Sequence, residues 1–592
     1  IVLSLATISF LASYANATSS DSNACPTAST RSDSGSTSPY NKTISSDCSN
    51  QTITIPNSGT SNVTITKDGT IGNSSDKSIA LTPSDGNNPT LENFNNQGTI
   101  KGKIKIENSG NFTGTITVRT FENKKTIDGD IYMGLWGGSG TISIENFNNE
   151  GTISGVSRQE KGVHFEGSDN AQVHIKTFKN SGSIEGGKHE TLERQGVYFQ
   201  GNVHVGTFHN EGTITSEKGQ GVYFKETHVK TFENKKTGFI SGSCDSVNEN
   251  CLYSSFRSGG GVSMAGSTIE TFKNSGTIQG TGQYNNPAGV KLIRATVNTF
   301  ENTGLISGLI GILATGGTID TFKNSGTIES TSPNGIAAAI KIRAENQNPF
   351  SITHFTNEGT IKSASNGVLI ESGDKIGTLT NQGTIETQLN GIGFYNYRTN
   401  GPEETHLGKI ILEPGSSIKA GNNGINIDNQ TTARSIRVGG IEVQKGASVS
   451  GDEAGIYLGK DKEITAPITI SGTVSGGNAG IVNEGRMARG ITHDGEGELV
   501  ILSRGLVDKG DDGNTVTNNS GSVTIKDWVV TTDEKTGKLD TVVVGGDKTD
   551  SVKVTNITVD QSGLELEELN EIKNLISGVS TNNIANVKTN GG

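Results

Sequence analysis

The fold is decided by a ten-residue phrase that recurs along the chain, as in TFKNSGSIEG (177–186), TFHNEGTITS (207–216) and TFKNSGTIQG (271–280). Eleven variants lie between residues 93 and 387, and successive copies begin roughly 22 to 40 residues apart. Repeats of this period are typical of solenoids, in which each repeat contacts only its neighbours. The phrase therefore predicts an elongated, repetitive architecture rather than a globular domain with a deep cleft.

Each repeat also contains three short apolar segments separated by turn residues. A run such as VHIKTF (173–178) leads into the phrase, the phrase ends on Ile, and a glycine-led run such as GVYF (196–199) follows. β-Branched and aromatic residues at alternate positions are typical of half-buried strands. Helix is disfavoured, because the 81 glycines and the abundant Asn, Thr and Ser are poor helix formers.

Strands of this kind bury their apolar side only by stacking on the next repeat. Stacking at about 4.8 Å places like residues over one another in continuous columns. We therefore predict an all-β fold, a right-handed parallel β-helix of about 14 coils, where one coil is one turn of the chain around the axis. The run LELEELNEIKNLI at 564–576 predicts a short C-terminal helix.

Stacking places the Phe of each phrase in one column. The Asn two residues further along each phrase forms a second column. Asn tolerates the left-handed conformation that a sharp corner requires, and stacked side-chain amides can donate and accept along a column. The alternative, that Asn is ordinary loop filler, does not explain its constant spacing from Phe and Ile. The column consists of Asn96, Asn123, Asn149, Asn180, Asn210, Asn234, Asn274, Asn302, Asn324, Asn357 and Asn381.

The N-terminal residues form an apolar run that ends in Ala15-Asn16-Ala17. This pattern predicts a secretory signal at 1–17 that is cleaved after Ala17. The remaining chain divides by composition into further segments. These are a polar leader or cap (18–50), the β-helix (51–497), a strand-rich cap (498–560) and a helical linker (561–592).

Charge and cysteine content narrow the possible partners and compartment. The formal net charge of −12 disfavours nucleic acid, because phosphate binding requires clustered cations. The four cysteines form two closely spaced pairs, Cys25 with Cys48 and Cys244 with Cys251. In an exported chain they predict two local disulfides, the alternative being reduced thiols without a role.

Together, the export signal, the Gly- and Asn-rich β-helix, the few cysteines and the strand-rich end resemble the passenger region of type V autotransporters, especially the Gly- and Asn-rich passengers of epsilonproteobacteria. The segment 498–560, with Trp528, is similar to the autochaperone region of that family. The segment 561–592 is similar in position to the linker that threads the family's outer-membrane barrel. The barrel is absent from this sequence, so the resemblance implies that it is encoded elsewhere, for example beyond Gly592.

The sequence predicts no catalytic residue and no cofactor. No Gly-x-Ser-x-Gly precedes a helical pattern, as a nucleophile elbow requires. Parallel β-helix enzymes that cleave polysaccharides need carboxylates or basic groups clustered on one face. Here the acidic residues scatter at turns, as at Glu185, Glu329, Asp452 and Glu453, and we interpret them as solvated.

Three histidines form the least ordinary pattern. His174, His204 and His228 each lie four residues before the Phe of three successive coils, which predicts one outward column. Such imidazoles could hold a divalent metal or form a plain exposed ladder, and they would resist joint protonation near pH 6. A second column is predicted on the adjoining strand, formed by His164, Tyr198 and Tyr223.

Two insertions are candidate partner-binding segments, at 243–258 and 394–398. Aromatic residues beside Arg are enriched in recognition patches; the alternative is that both segments merely cover a coil junction. The candidate residues are Tyr253, Phe256, Arg257, Phe394, Tyr395, Tyr397 and Arg398.

The resemblance implies a surface-displayed or released protein that acts without catalysis, as an adhesin or aggregation factor and hence a virulence factor. Its expected partners are a host-cell receptor or glycan, or a second copy of itself. One alternative is a β-helix enzyme acting on polysaccharide, which would gather carboxylates or a Lys/Arg pair on one sheet. Another is a toxin-like passenger, which would need an apolar segment after the cleavage site, where 18–50 is polar.

Overall fold

The computed structural model describes residues 25, 39–73, 77–108, 110–155, 161–187, 194–243, 259–282, 287–345, 348–371, 373–395, 404–429, 435–531, 539–560 and 575–590. These residues wind into a parallel β-solenoid of about 17 coils with almost no helix. The predicted all-β parallel fold is thereby confirmed. The predicted count of 14 is too low, because coils near both ends lack the Phe-Asn phrase and yet pair in the same sheets. No helix in the described ranges is long and apolar enough to cross a membrane.

Three parallel sheets run along the axis. Sheet 1 carries the Phe and Asn columns. Its strands are Tyr40–Ile44, Thr60–Ile65, Thr90–Asn96, Thr115–Asn123, Thr141–Asn149, Gln172–Asn180, Val203–Asn210, His228–Asn234, Thr268–Asn274, Thr296–Asn302, Thr318–Asn324, Ser351–Asn357, Lys375–Asn381, Glu404–Leu412, Ser435–Val443, Glu463–Ile464, Ile468–Ile470, Arg486–Met487, Ile491–His493, Leu506–Val507, Val516–Asn518, Val542–Gly545 and Ile576–Ser577.

Sheet 2 carries the Ile that ends each phrase. Its strands are Asp47–Ser49, Thr70–Gly72, Thr99–Lys101, Thr126–Asp128, Thr152–Ser154, Ser183–Glu185, Thr213–Ser216, Phe239–Ser243, Thr277–Thr281, Leu305–Gly308, Thr327–Ser330, Thr360–Ser363, Thr384–Thr387, Ser417–Ala420, Ser448–Gly451 and Thr473–Gly476.

Sheet 3 carries the glycine-led runs. Its strands are Ile53–Thr54, Lys77–Leu81, Lys103–Glu107, Ile131–Leu135, Val163–Gly167, Val197–Gly201, Gln220–Lys225, Gly260–Ala265, Ala288–Ile293, Ile310–Thr315, Ala338–Arg343, Asn366–Glu371, Ile392–Tyr395, Asn423–Ile427, Ala454–Leu458, Ala479–Asn483, Glu498–Ser503, Ser522–Val530, Val552–Asp560 and Ile584–Asn590. Two single 3-10 turns are present in the described chain, at Thr549–Ser551 and Thr581–Asn583.

The core consists of the predicted columns. Rings from Phe94 to Phe355 stack face to face, with successive centroids 4.5 to 5.1 Å apart. In the middle coils Phe165, Phe199 and Phe224 of sheet 3 meet this stack edge-on. Every phrase Ile is buried beside them. Identical residues face inward because the strands pair in register from coil to coil.

The asparagine column is a continuous hydrogen-bonded ladder. From Asn96 to Asn357, each side-chain Nδ2 donates to the Oδ1 of the next asparagine at 2.7 or 2.8 Å. Most of these amides also donate to the backbone carbonyl that begins the sheet 2 strand of the next coil, as Asn274 does to Leu305 at 3.1 Å. The predicted amide stacking is therefore confirmed.

The predicted left-handed backbone at this column is wrong. The described non-glycine residues with positive φ are Asn50, Glu226, Arg294 and Asp461, none of which belongs to the ladder. The corner is made instead by the side-chain amides, which supply the hydrogen bonds that the turning backbone cannot make to itself.

Sheet 1 bends in mid-strand, and this bend shapes its outer face. In Thr115–Asn123, Val118 and Phe121 face inward while Arg119 and Thr120 between them both face outward. The same pattern recurs in Gln172–Asn180. A Cβ at Gly439, which occupies this bend in a later coil, would overlap the Gly408 carbonyl oxygen. At Gly439 the neighbouring backbones are therefore too close for a side chain, whereas other coils carry one at the bend, as at Arg119.

The described parts of the two chain ends continue the solenoid sheets. The first described strand begins at Tyr40, inside the segment 18–50. The predicted Cys25–Cys48 disulfide is present, with Cα atoms 5.2 Å apart. Trp528 is buried in the core of 498–560, which extends sheets 1 and 3. The signal 1–17 and the pair Cys244–Cys251 lie outside the described residues, as does most of the predicted helix 564–576; its last residue, Ile576, is in a strand.

Candidate functional site

The three predicted histidines lie on the outward face of sheet 1 in consecutive coils. His204 is opposite His174 on one side and His228 on the other. The rings of His174 and His204 stack with centroids 5.0 Å apart and an interplanar angle of 18°. The rings of His204 and His228 are 5.9 Å apart and tilted by 51°. The sequence register thus brings the imidazoles together as one column.

The ring nitrogens of this column are held apart from one another. Nε2 of His174 donates to Gln172 Oε1 at 2.8 Å, and Nε2 of His204 donates to Asn202 Oδ1 at 3.0 Å. A zinc ion needs its ligand nitrogens to converge at about 2.1 Å, whereas these two nitrogens already bind neighbouring side chains. No group of three His, Cys, Asp or Glu side chains among the described residues is arranged to hold a metal ion. The geometry therefore favours the ladder over the metal site.

Charge repulsion acts on the middle ring. Burial, followed by the charges of His174 and His228, lowers the pKa of His204 below its ordinary value of 6.5. Burial and the neighbouring imidazoles therefore disfavour protonation of the central ring. An anion placed against the column would relieve this repulsion.

A shallow groove of about 400 Å³ runs beside the histidines along the bend of sheet 1. Its bend positions are, coil by coil, Glu145, Lys176, Gly206, Lys230 and Glu270. The missing side chain at the central glycine opens the floor of the groove. A Cβ there would lie 2.6 Å from the carbonyl oxygen of the preceding lysine.

The two groove lysines differ from Lys179 and Lys273, which lie on the same sheet in neighbouring coils. Lys179 pairs with Glu211 at 3.3 Å, and Lys273 pairs with Glu301 at 3.3 Å. Lys176 and Lys230 are exposed, and neither has an ion-pair partner among the residues that the structure describes. The groove thus presents two lysines without ion-pair partners in the described chain beside three imidazoles, with Glu145 and Glu270 at its two ends.

The second predicted column, on sheet 3, has a different character. His164 stacks on Tyr198 at 4.8 Å, and Tyr198 stacks on Tyr223 at 5.1 Å. Both tyrosines are buried although they face away from the core. Burial, and then the charge of Lys161, lowers the pKa of His164 well below 6.5, so its 3.8 Å approach to Glu166 joins a neutral ring to a carboxylate. This column is a packing feature rather than an exposed surface.

The predicted partner-binding residues fall into two groups. Phe394 is wrong as a surface contact, because it is an inward position of Ile392–Tyr395, opposite Ile370, and is buried in the core. Its neighbour Tyr395 is half-buried on the other side of the strand. The remaining candidates lie outside the described residues, namely Tyr253, Phe256, Arg257, Tyr397 and Arg398.

A further histidine at the same strand position, several coils beyond the column, was missed. His406 is opposite Lys375, which occupies the same position in its coil as the three histidines do in theirs. Coils after residue 387 lack the Phe-Asn phrase, so their register could not be assigned from that phrase. The spacing from His406 to the inward Ile410 was the available signal.

A buried acidic pair was also missed. Asp374 is fully buried, its Oδ1 accepts the Phe350 N–H at 2.7 Å, and its Oδ2 has no hydrogen-bond partner among the described residues. Nearby Glu371 pairs with Lys341 at 2.8 Å. Burial, reinforced by the Glu371 charge, raises the pKa of Asp374 well above 3.8, against the opposing effects of the Phe350 N–H and Arg343. Sequence reasoning interpreted such turn acids as solvated, because their covering residues are distant in the chain.

We expect Asp374→Asn to raise the urea midpoint near pH 7 and to have no such benefit below pH 3.8. A carboxyl whose pKa is raised in the folded state makes its full contribution to folding stability below its unfolded pKa, here 3.8. That contribution is lost as the pH rises through the folded pKa. The amide keeps an oxygen for the Phe350 N–H and removes the charge. Circular dichroism at both pH values measures the effect, with Asp452→Asn in an exposed turn as the control. Destabilisation by Asp374→Asn near pH 7 would contradict the assignment.

In comparisons with known proteins, no family model, curated protein or solved structure matches this chain. The class that the fold defines is a parallel β-solenoid with a repeated Phe–Asn–Ile coil and a histidine-lysine groove on one sheet.

Proposed function

We propose that the protein is a surface-displayed passenger of the autotransporter type, which acts without catalysis as an adhesin or aggregation factor. The observation that carries the proposal is the unbroken stacking of about 17 coils into one rod, on the order of 80 Å long at one strand spacing per coil. The repeated residues face inward, so the outer face is free to vary from coil to coil. Long, regular outer faces suit binding to extended or repeating partners.

The architecture also fits the proposed export route. A solenoid has contacts only between neighbouring coils, so it can nucleate at one end and propagate. A chain that emerges gradually from a narrow pore could fold in this order. The Cys25–Cys48 disulfide closes a short loop and does not tie distant coils together.

The polysaccharide-enzyme alternative gains little support. The carboxylates that the fold brings together at Glu371 and Asp374 are 9% and 0% exposed, respectively. A general acid and base must reach the bond that they cleave. Buried carboxylates without access to substrate favour a structural role.

The test uses the full chain coupled to fluorescent beads. We expect saturable binding to cultured epithelial cells, or concentration-dependent self-association in analytical ultracentrifugation. The matched control is the same preparation after heat denaturation, which keeps the composition and loses the rod. Absence of both activities, together with polysaccharide cleavage that Asp374→Asn abolishes, would replace the adhesin proposal with the enzymatic one.

A further inference from the structure

The groove on sheet 1 combines features that point to an anionic ligand. It is lined by Lys176, Lys230 and the three stacked histidines, in a chain with a formal net charge of −12, and its two glutamates lie at the ends beside Arg119 and His228. Most charged side chains nearby are paired, as Arg119 is with Glu92 at 2.9 Å. A local cationic site on an acidic protein attracts selected anions without binding polyanions everywhere on its surface.

The spacing of the lysines restricts the shape of that anion. Lys176 and Lys230 occupy the same bend position two coils apart, with Gly206 between them. At one strand spacing per coil, their backbones are about 9.6 Å apart along the rod axis. This separation is close to the length of one disaccharide in an extended sugar chain. A linear polysaccharide with one acidic group per disaccharide would therefore meet both lysines in succession.

The ends of the groove limit how much of the ligand it holds. Glu145 and Glu270 occupy the bend positions on either side of the lysines. Glu145 is held by Arg119 at 3.2 Å, and Glu270 lies 3.5 Å from His228. A third anionic group in line with the first two would approach one of these carboxylates. The site is therefore matched to two successive acidic groups.

We propose that this groove binds a linear acidic polysaccharide along the rod axis, with the lysines on successive anionic groups and the histidines as a pH-dependent second row. The proposal rests on the proposed adhesin function and names its ligand class. The charged groups facing the middle imidazole are His174 and His228 on either side, the two groove lysines, and the two end glutamates. A bound anion would offset the repulsion among the imidazoles and favour their protonation. Binding should therefore tighten as the pH falls through the histidine range.

The experiment is calorimetric titration of the full chain with size-defined oligosaccharides at pH 7.5 and pH 5.5. Hyaluronate fragments offer carboxylates only, heparin fragments offer sulfates as well, and neutral dextran fragments are the blank. We expect at least one acidic probe to bind, and to bind about tenfold more tightly at pH 5.5. The preferred probe identifies carboxylate or sulfate as the recognised group.

Two sets of variants locate the binding. The pair Lys176→Gln and Lys230→Gln is expected to weaken binding by about tenfold or more. The matched pair Lys179→Gln and Lys273→Gln removes equal charge from the same sheet and should leave binding nearly unchanged. Replacing all three histidines with Gln should abolish the pH dependence and retain the binding at pH 7.5. Circular dichroism verifies that each variant is folded.

Several outcomes would overturn the inference. Equal weakening by both lysine pairs would indicate attraction to the whole surface rather than to the groove, and binding of neither acidic probe would exclude this ligand class. If the protein binds cells but no acidic probe, the polysaccharide inference fails and the adhesin proposal stands. If acidic probes bind in the groove but cells and self-association do not, the adhesin proposal fails and the groove assignment stands.

Discussion

Phe208→Ala is expected to lower the free energy of unfolding by about 3 to 5 kcal/mol, the usual cost of emptying a buried phenylalanine site. Phe208 is fully buried. Its ring stacks on Phe178 at 4.8 Å and on Phe232 at 5.0 Å. It also meets Phe199 and Phe224 edge-on at 6.1 and 6.0 Å. The change therefore weakens the interfaces with both neighbouring coils.

The measurement is guanidinium denaturation followed by circular dichroism, with Phe239→Ala as the matched control. Phe239 undergoes the same deletion, but on the half-buried outward side of sheet 2. In a Trp136→Phe background, which removes the exposed second tryptophan, fluorescence of buried Trp528 reports separately on the C-terminal coils. Because solenoid coils are coupled mainly to their neighbours, Phe208→Ala should shift the circular dichroism transition more than the Trp528 transition. If Phe208→Ala and Phe239→Ala lower the free energy of unfolding equally, the ring column does not dominate stability.

Asn274→Ala is expected to cost about 3 kcal/mol or more, although it removes only a small polar group. Asn274 accepts from Asn234 Nδ2 at 2.8 Å and donates to Asn302 Oδ1 at 2.8 Å and to the Leu305 carbonyl oxygen. Truncation leaves the buried Asn302 Oδ1 without its side-chain donor, removes one donor from the Leu305 carbonyl oxygen and removes one of the acceptors of Asn234 Nδ2. Each stranded group costs about 1 to 3 kcal/mol. Asn298→Ala, on the exposed face of the adjacent strand, is the control and should change stability little.

Asn274→Asp separates hydrogen bonding from shape. The carboxylate can still accept from Asn234, but it cannot donate to Asn302 Oδ1. A protonated carboxyl can donate, so the variant should gain stability relative to the original chain as the pH falls. The sign follows because burial raises the folded-state pKa of an acid above its unfolded value. If the stability difference between Asn274→Asp and the original chain does not vary with pH, the ladder mechanism is contradicted.

Much of the fold could be predicted from the repeat, because identical residues at a constant spacing are bound to stack on their own copies. The inward position of Phe208 and the amide ladder through Asn274 both follow from that regularity. The coil count could not be predicted as well, since coils such as the one that begins at Tyr40 are defined by pairing rather than by the phrase. The prediction of a left-handed corner was wrong because the neighbouring coil decides whether a corner is stabilised by backbone conformation or by side-chain hydrogen bonds.

The candidate site shows the same division. The histidine column could be predicted from spacing alone, since register carries His174 onto His204 and His228. The partners of individual charges could not be predicted, because they are set by residues one coil away and by local bends. Lys179 pairs with Glu211, whereas Lys176 is opposite Gly206, which has no side chain to pair with it.

The sequence by itself determined which residues face the axis, because alternation within each strand and the constant repeat leave a single way to bury the apolar side. Only the tertiary structure decided which of the remaining residues are buried, desolvated or exposed. Tyr198 is buried, Asp374 is desolvated, and Lys230 remains exposed. The physical reason is that solvation and charge pairing depend on segments distant in the chain, whereas inward packing depends on a local pattern repeated many times.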